Sequence, residues 1–188
     1  MKPIDGTPFG DEIAEHSQND VTQMIQKAAS VANELAKLSP ADHAKLLRTI
    51  GVHIESAREQ LVATACAETA LAEGRISGEI TRTTVQFNRF AELVETGEHL
   101  KVVIDKANPD YSPAPRPDIR KLNQPLGVVA IFAASNFPLA FSVAGGDAAS
   151  AIAAGNAVVA KAHPSHPVLP EILRHLYPSQ FLVYIDHY

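Results

Sequence analysis

The side chains of this chain with chemistry to offer are one cysteine, a pair of histidines and the polar residues that follow two apolar runs. Cys66 is the only cysteine among 188 residues. A thiolate there would be a nucleophile, but Cys66 lies in Ala-rich sequence of helical spacing with no histidine nearby, a context that suits a small buried filler. His163 and His166 stand close enough to suggest metal ligation. Pro164 and Pro167 break helical presentation, and no cysteine or carboxylate cluster joins them, so no metal site is expected. Ser135, Asn136 and Phe137 follow the run GVVAIFAAS, and Lys161 to His163 follow the run NAVVAKAHP. From the residues alone, Asn136 reads as a helix N-cap with Pro138 behind it, and Lys161 as a solvated lysine at a strand end.

The elements that position these groups are legible in the periodicity. Residues 1–19 carry Pro3, Gly6, Pro8 and Gly10 without a sustained period and read as an irregular arm. Residues 20–98 read as helical. Asn19 or Asp20 is expected to cap a first helix, with Val21, Met24, Ile25, Ala28, Ala32 and Leu35 on one face. Ser39 and Pro40 are expected to open a second, whose stripe is Leu47, Ile50 and Ile54. Ser56 with Glu59 predicts a third helix running to Leu71 and interrupted by Gly74. The fourth is predicted from Ser77 to Thr96, with Ile80, Thr84, Phe87, Ala91 and Val94 inward and Gly97 as its left-handed stop.

The pattern changes near residue 98. Leu100, Val102 and Ile104 alternate, so residues 99–125 read as a β-ribbon, its two strands separated by a proline-rich connector. Residues 126–167 then read strand, helix, strand. The first strand is expected to be buried on both faces, the helix to start near Pro138, and Gly155 to stop it. A βαβ unit implies a right-handed crossover and a parallel sheet, with ligands beyond the carboxyl ends of the strands. The expected fold class is α/β: N-terminal helices and a β-ribbon followed by the first βαβ unit of a doubly wound, Rossmann-like parallel sheet, incomplete. The G-x-G-x-x-G fingerprint of dinucleotide sites is absent from the turn.

Composition excludes several classes. The chain is 46% apolar and 20% charged with 13 Pro and 10 Gly, which suits a soluble globular protein. Its formal charge of -5, with basic residues scattered, argues against nucleic acid as a partner. No apolar stretch approaches the ~20 residues that span a bilayer, so no membrane role is expected. A lone cysteine fits a reducing cytoplasm.

The segment QPLGVVAIFAASNFPLAFSVAGGDAASAIAAGNAVVAKAHPSHP resembles the first βαβ unit of the NAD(P)-dependent aldehyde dehydrogenase superfamily, in particular the branch that oxidises 2-oxoglutarate semialdehyde. ETALAEGRISGEITRTTVQFNRFAELV is similar to the helix pair ahead of that branch's ribbon. The resemblance implies that Asn136, in the family's N-F-P motif, donates its side-chain amide to the substrate carbonyl oxygen. Such a donor lowers the barrier by about 2.7–4 kcal/mol in comparable sites. It implies that Lys161 contacts the adenosine ribose hydroxyls or a 2′-phosphate of NAD or NADP. Phe132, Ala133 and Ser135 would line the cofactor groove, and His163 would donate to a phosphate. Many NAD-preferring members carry an acidic residue where this chain has Pro164, which loosens the bar against NADP.

The resemblance also implies parts without a counterpart in these residues: a catalytic cysteine, a glutamate base and the rest of the dinucleotide fold. The expectation is a truncated dehydrogenase without activity of its own. A non-catalytic module that associates with full-length subunits and a nonfunctional remnant are the alternatives. Residues 168–188, with Pro170, Pro178 and an aromatic strand-like run, depart from the family pattern and read as a divergent tail, as from a frameshift or rearranged gene. An incomplete sheet is expected to leave an unpaired edge, to expose Val128, Ile131 and Val158, and to make the chain marginally stable.

Overall fold

Helix α1 (Gln18–Leu35) begins where two side chains satisfy its open N–H groups. The Ser17 hydroxyl accepts the Asp20 N–H, and the Asp20 carboxylate accepts the Ser17 N–H at 2.9 Å, a closed capping box. The expected cap at Asn19 or Asp20 is thus displaced: Asp20 is the box partner, and Ser17 is the cap. The computed structural model describes residues 2–11, 13–177 and the backbone of 182–185, so Pro178 and the end of the aromatic run lie outside the described residues. Helix α2 (Pro40–Ser56) starts at Ser39 and Pro40 as read from the sequence, and Leu47, Ile50 and Ile54 are fully buried.

Helix α3 (Arg58–Thr69) is not opened by Ser56, whose hydroxyl donates back to the His53 carbonyl and finishes α2 instead. Ala70 in a left-handed conformation ends it. Gly74 then interrupts nothing, because helix α4 (Glu73–Thr96) already runs through it, starting at Glu73 rather than Ser77. Its buried face carries Ile76, Ile80, Thr83, Phe87, Ala91 and Val94, with Thr83 in the place expected for Thr84. Gly97, at φ 72°, closes α4 as predicted. α2 and α4 pack along their lengths, and Arg48 grips the Glu95 carboxylate through both nitrogens at 2.7 and 2.6 Å.

His43 on α2 ties this helical layer to the sheet layer. Its buried Nε2 lies 2.8 Å from the Ile152 carbonyl oxygen, so the ring donates from that nitrogen. Burial holds its pKa below the ordinary 6.5, the Ile152 bond opposes this, and His99 adds to it. The unfolded chain therefore takes up a proton before the folded one as pH falls. Stability is full above about pH 6.5 and declines below it, with a slope of up to ~1.4 kcal/mol per pH unit. The urea midpoint is expected to drop between pH 7.5 and 5.5, and His43→Gln, which keeps a donor, to flatten that drop. An equally steep drop in the variant would remove His43 as its cause.

A short 3-10 turn at Glu98–Leu100 leads into β1 (Val103–Asp105), which pairs antiparallel with β2 (Ile119–Lys121). Every residue of this ribbon is exposed on both faces.

The second sheet is parallel, in the order β3-β4-β5, built from β3 (Val128–Phe132), α5 (Gly146–Ala153), β4 (Ala157–Lys161), α6 (Val168–Leu176) and β5 (Leu182–Ile185). The fold is α/β, with α5 and α6 on the face turned toward α2 and α1 across the other. β4 is buried on both faces, as a central strand must be. β3 is not: only Ile131 is buried, and Phe132 is 77% exposed, because among the described residues no strand pairs with its other edge. The expected exposure of Ile131 and Val158 is also corrected, since α5 covers that side; Val128 is half-buried.

Residues 168–176, the first part of the stretch read as a divergent tail, form helix α6. Pro170 sits in its first turn, where a missing N–H leaves no bond unmade. Glu68 on α3 accepts the N–H groups of Val168 and Leu169 at 2.7 and 2.8 Å, and His53 on α2 lies 2.8 Å from the Leu176 carbonyl oxygen. Side chains of the helical layer thus satisfy both ends. Burial pushes the Glu68 carboxyl pKa up, against the pull of those two donors. Leu169 and Leu173 are fully buried, and Tyr177 meets Phe87 edge-on at 6.2 Å.

Candidate functional site

The functional edge is built by the loop between β3 and α5. This segment was expected to be helical from Pro138, yet residues 135–145 are bends and turns and α5 starts only at Gly146. The loop folds onto itself: the Ala134 N–H meets the Phe141 carbonyl at 2.8 Å, and the Gly146 N–H meets the Ala140 carbonyl at 3.0 Å. A methyl group at Gly145 would overlap that same Ala140 carbonyl, so the close approach requires glycine there. Asn136 consequently lies exposed at the turn and caps no helix, which removes its purely structural reading.

Two residues of α4 hold this loop. Glu79 is buried, and its Oε2 accepts the N–H groups of Leu139 and Ala140 at 3.1 and 3.2 Å. Its Oε1 receives Arg75 Nε at 3.4 Å. Arg75 in turn donates to the backbone carbonyl of Asn136 and lays its guanidinium over the Phe137 ring, 4.9 Å from the centroid. The loop is therefore held at the Asn136 carbonyl by Arg75 and at the Leu139 and Ala140 N–H groups by Glu79, while the Asn136 side chain is exposed.

Lys161 and Phe132 form a second group on the same edge. They are register partners at the carboxyl ends of β4 and β3, and the Ala133 N–H donates to the Lys161 carbonyl at 3.0 Å. Strand alternation turns Val128, Ala130, Phe132, Val159 and Lys161 toward α1, where they line a cleft of about 800 Å³ together with α1 residues such as Val21 and Ile25. Ala133 itself is buried, so it can offer the cleft only backbone. Ser135 is exposed and His163 half-buried, neither lining that cleft. The Ser165 N–H donates to His163 Nδ1 at 3.1 Å, which puts the ring proton on Nε2. An ammonium at one end of an apolar cleft suits a ligand with a flat apolar part and an anionic or hydroxyl group at that end.

The remaining candidates sit elsewhere. Cys66 is half-buried on α3, and burial, helped by the Glu73 charge, pushes its thiol pKa up and disfavours the thiolate. His163 and His166 stack with ring centroids 5.8 Å apart, and His166 Nε2 lies 3.0 Å from the Ala134 carbonyl oxygen, tying the β4 loop to the β3 loop. Sequence reasoning missed Glu79, Arg75, Glu68 and Asn156. Glu79 did carry a signal, a carboxylate on the apolar stripe of Ile76, Ile80 and Thr83, which demands buried partners. Asn156 Oδ1 accepts the N–H groups of Leu126 and Gly127 at 2.6 and 3.0 Å and so starts β3 in register.

Comparison with known proteins finds one family, two relatives and one solved structure that this chain resembles. The model of the aldehyde dehydrogenase family matches residues 1–179. Alpha-ketoglutaric semialdehyde dehydrogenase 2 of Azospirillum brasilense is 42% identical over 165 residues, which are 88% of this chain and 31% of that protein. Alpha-ketoglutaric semialdehyde dehydrogenase of Acinetobacter baylyi is 38% identical over 173 residues, 92% of this chain and 33% of that one. The chain thus spans about a third of the length of these relatives. A crystal structure of aldehyde dehydrogenase from Brucella melitensis biovar abortus 2308 shares the fold, with a TM-score of 0.86 at 21% identity, over 100% of this chain and 38% of that one.

Proposed function

Because the chain belongs to the aldehyde dehydrogenase family, we propose that it carries the carbonyl-oxygen donor and the first cofactor contacts of an NAD(P)-dependent oxidation of an aldehyde to a carboxylic acid, with 2-oxoglutarate semialdehyde as the substrate. The supporting observation is Asn136, whose backbone carbonyl is held by Arg75 in a loop that Glu79 grips at Leu139 and Ala140, with its side chain exposed. A fixed amide donor is strongest where negative charge develops, here on the aldehyde oxygen as a nucleophile adds to the carbonyl carbon. Lys161, Phe132 and the backbone at Ala133 would hold the adenosine half of the cofactor, with Ser135 at the start of the loop. His163, next to Pro164, would favour a 2′-phosphate and hence NADP over NAD. The bound nicotinamide supplies the hydride acceptor. A single cysteine suits work in a reducing cytoplasm.

The nucleophile and the base are outside these 188 residues in this reading, because the only cysteine, Cys66, is placed on α3 with its thiolate disfavoured. The purified chain, given 2-oxoglutarate semialdehyde with NAD or NADP, is expected to form no reduced cofactor. Formation that disappears in Asn136→Ala would overturn this assignment of roles. A second reading is non-catalytic association with full-length dehydrogenase subunits, favoured by the exposed Val103 and Ile104 of the ribbon and by Leu126 at the start of β3, 89% exposed. Failure of a tagged chain to retain such subunits would remove it.

A further inference from the structure

Arg82 is the cation of the α4 face that the loop clamp leaves unneutralised. Arg75 and Arg82 are two helical turns apart, on the order of 10 Å along one face of α4. Both guanidinium groups stack on aromatic rings of the Asn136 loop: Arg75 over Phe137, and Arg82 over Phe141 at 4.8 Å. Phe137 and Phe141 meet edge-on at 5.4 Å, so the two cations flank one aromatic pair. Their partners differ. Arg75 is paired with Glu79 and bound to the Asn136 carbonyl, whereas among the described residues no carboxylate pairs with Arg82.

We propose that Arg82 is a specificity-determining residue that receives the carboxylate of an anionic aldehyde whose carbonyl oxygen is at Asn136. This rests on the reading of Asn136 as the carbonyl-oxygen donor. Three considerations lead to it. The chain carries a net charge of -5, so a small anion is drawn to this edge by a local cation and not by the overall charge. The Phe141 face holds the guanidinium plane without consuming its N–H donors, which remain available in the fork geometry that matches a carboxylate. Glu79 neutralises Arg75 and commits it to the loop, so the division of labour between the two arginines is built into α4. The substrate class is a short aliphatic aldehyde with a carboxylate at its far end.

The test is a titration of the isotope-labelled 188-residue chain, observing the Arg82 Nε–H and the Asn136 side-chain amide. 2-Oxoglutarate semialdehyde is expected to shift the Arg82 signal saturably at millimolar concentration, and pentanal at the same concentration to leave it unmoved. Arg82→Gln, followed through the Asn136 amide, is expected to raise the midpoint at least five-fold. Arg82→Lys, which keeps the charge and loses the fork, is expected to lie between. A midpoint in Arg82→Gln within two-fold of the parent, or an equal Arg82 shift by pentanal, would overturn the proposal. Glutarate, which lacks the aldehyde, separates the two readings. If glutarate and the semialdehyde both shift Arg82 while neither shifts the Asn136 amide, the carboxylate site stands and the oxyanion-donor reading falls.

Discussion

Glu79→Ala is expected to lower the stability of the chain by roughly 2–6 kcal/mol, the cost of leaving two buried donors unpaired at about 1–3 kcal/mol each. The donors are the N–H groups of Leu139 and Ala140, which have the Glu79 carboxylate as their acceptor. The same change leaves Arg75 without its anion, so the guanidinium is free to leave the Asn136 carbonyl. For a domain of this size the expected fall in melting temperature is on the order of 10 °C. Glu79→Gln retains an oxygen acceptor at the same reach and is expected to lose less than half as much. Hydrogen exchange at Leu139 and Ala140 should rise in step with the loss. A stability change below about 1 kcal/mol in Glu79→Ala, with exchange unchanged, would mean that the loop holds itself.

Local signals in the sequence translated well, and distant partners did not. Ser39 with Pro40, the buried stripe of α2 and the stop at Gly97 all depend on neighbours within one or two turns, and the structure matches each. The βαβ order and its parallel pairing follow from two apolar runs of strand length and the crossover rule. The helix expected from Pro138 failed because its backbone donors go to Glu79, about 60 residues away in sequence, and not to an adjacent turn. α6 was invisible for the same reason. Its N–H groups are satisfied by Glu68, 100 residues upstream, so neither Pro167 nor Val168 shows a cap. β3 was read as doubly buried from composition, which reports what a strand could bury and not which of its edges is paired.

Within the candidate site, Asn136 and Lys161 were legible at the carboxyl edge of the sheet, a placement that topology dictates, whereas Phe132 came from the family resemblance. Their grouping was not. Lys161 and Phe132 share one cleft with α1, while Asn136 belongs to the α4 side with Arg75. The helices that support each group come from the first hundred residues, so the site is a product of the whole chain. The helical layer is not an appendage to the sheet: it supplies the clamp on the Asn136 loop.

The central claim is that Asn136 donates to the oxygen of the reacting aldehyde, and its most direct measurement is turnover in a complete enzyme. Residues 1–177 of this chain, substituted for the matching segment of the Azospirillum brasilense relative, place Asn136 opposite a full catalytic half. Removing one such donor costs about 100- to 1,000-fold in kcat, because the donor acts on charge that exists only in the transition state. Asn136→Ala in that chimera is therefore predicted to lower kcat by that range with KM changed less than about three-fold. The fold should be spared, since the Asn136 side chain is exposed and the loop is gripped through its backbone. A folded Asn136→Ala chimera that keeps kcat within three-fold of its parent would contradict the account.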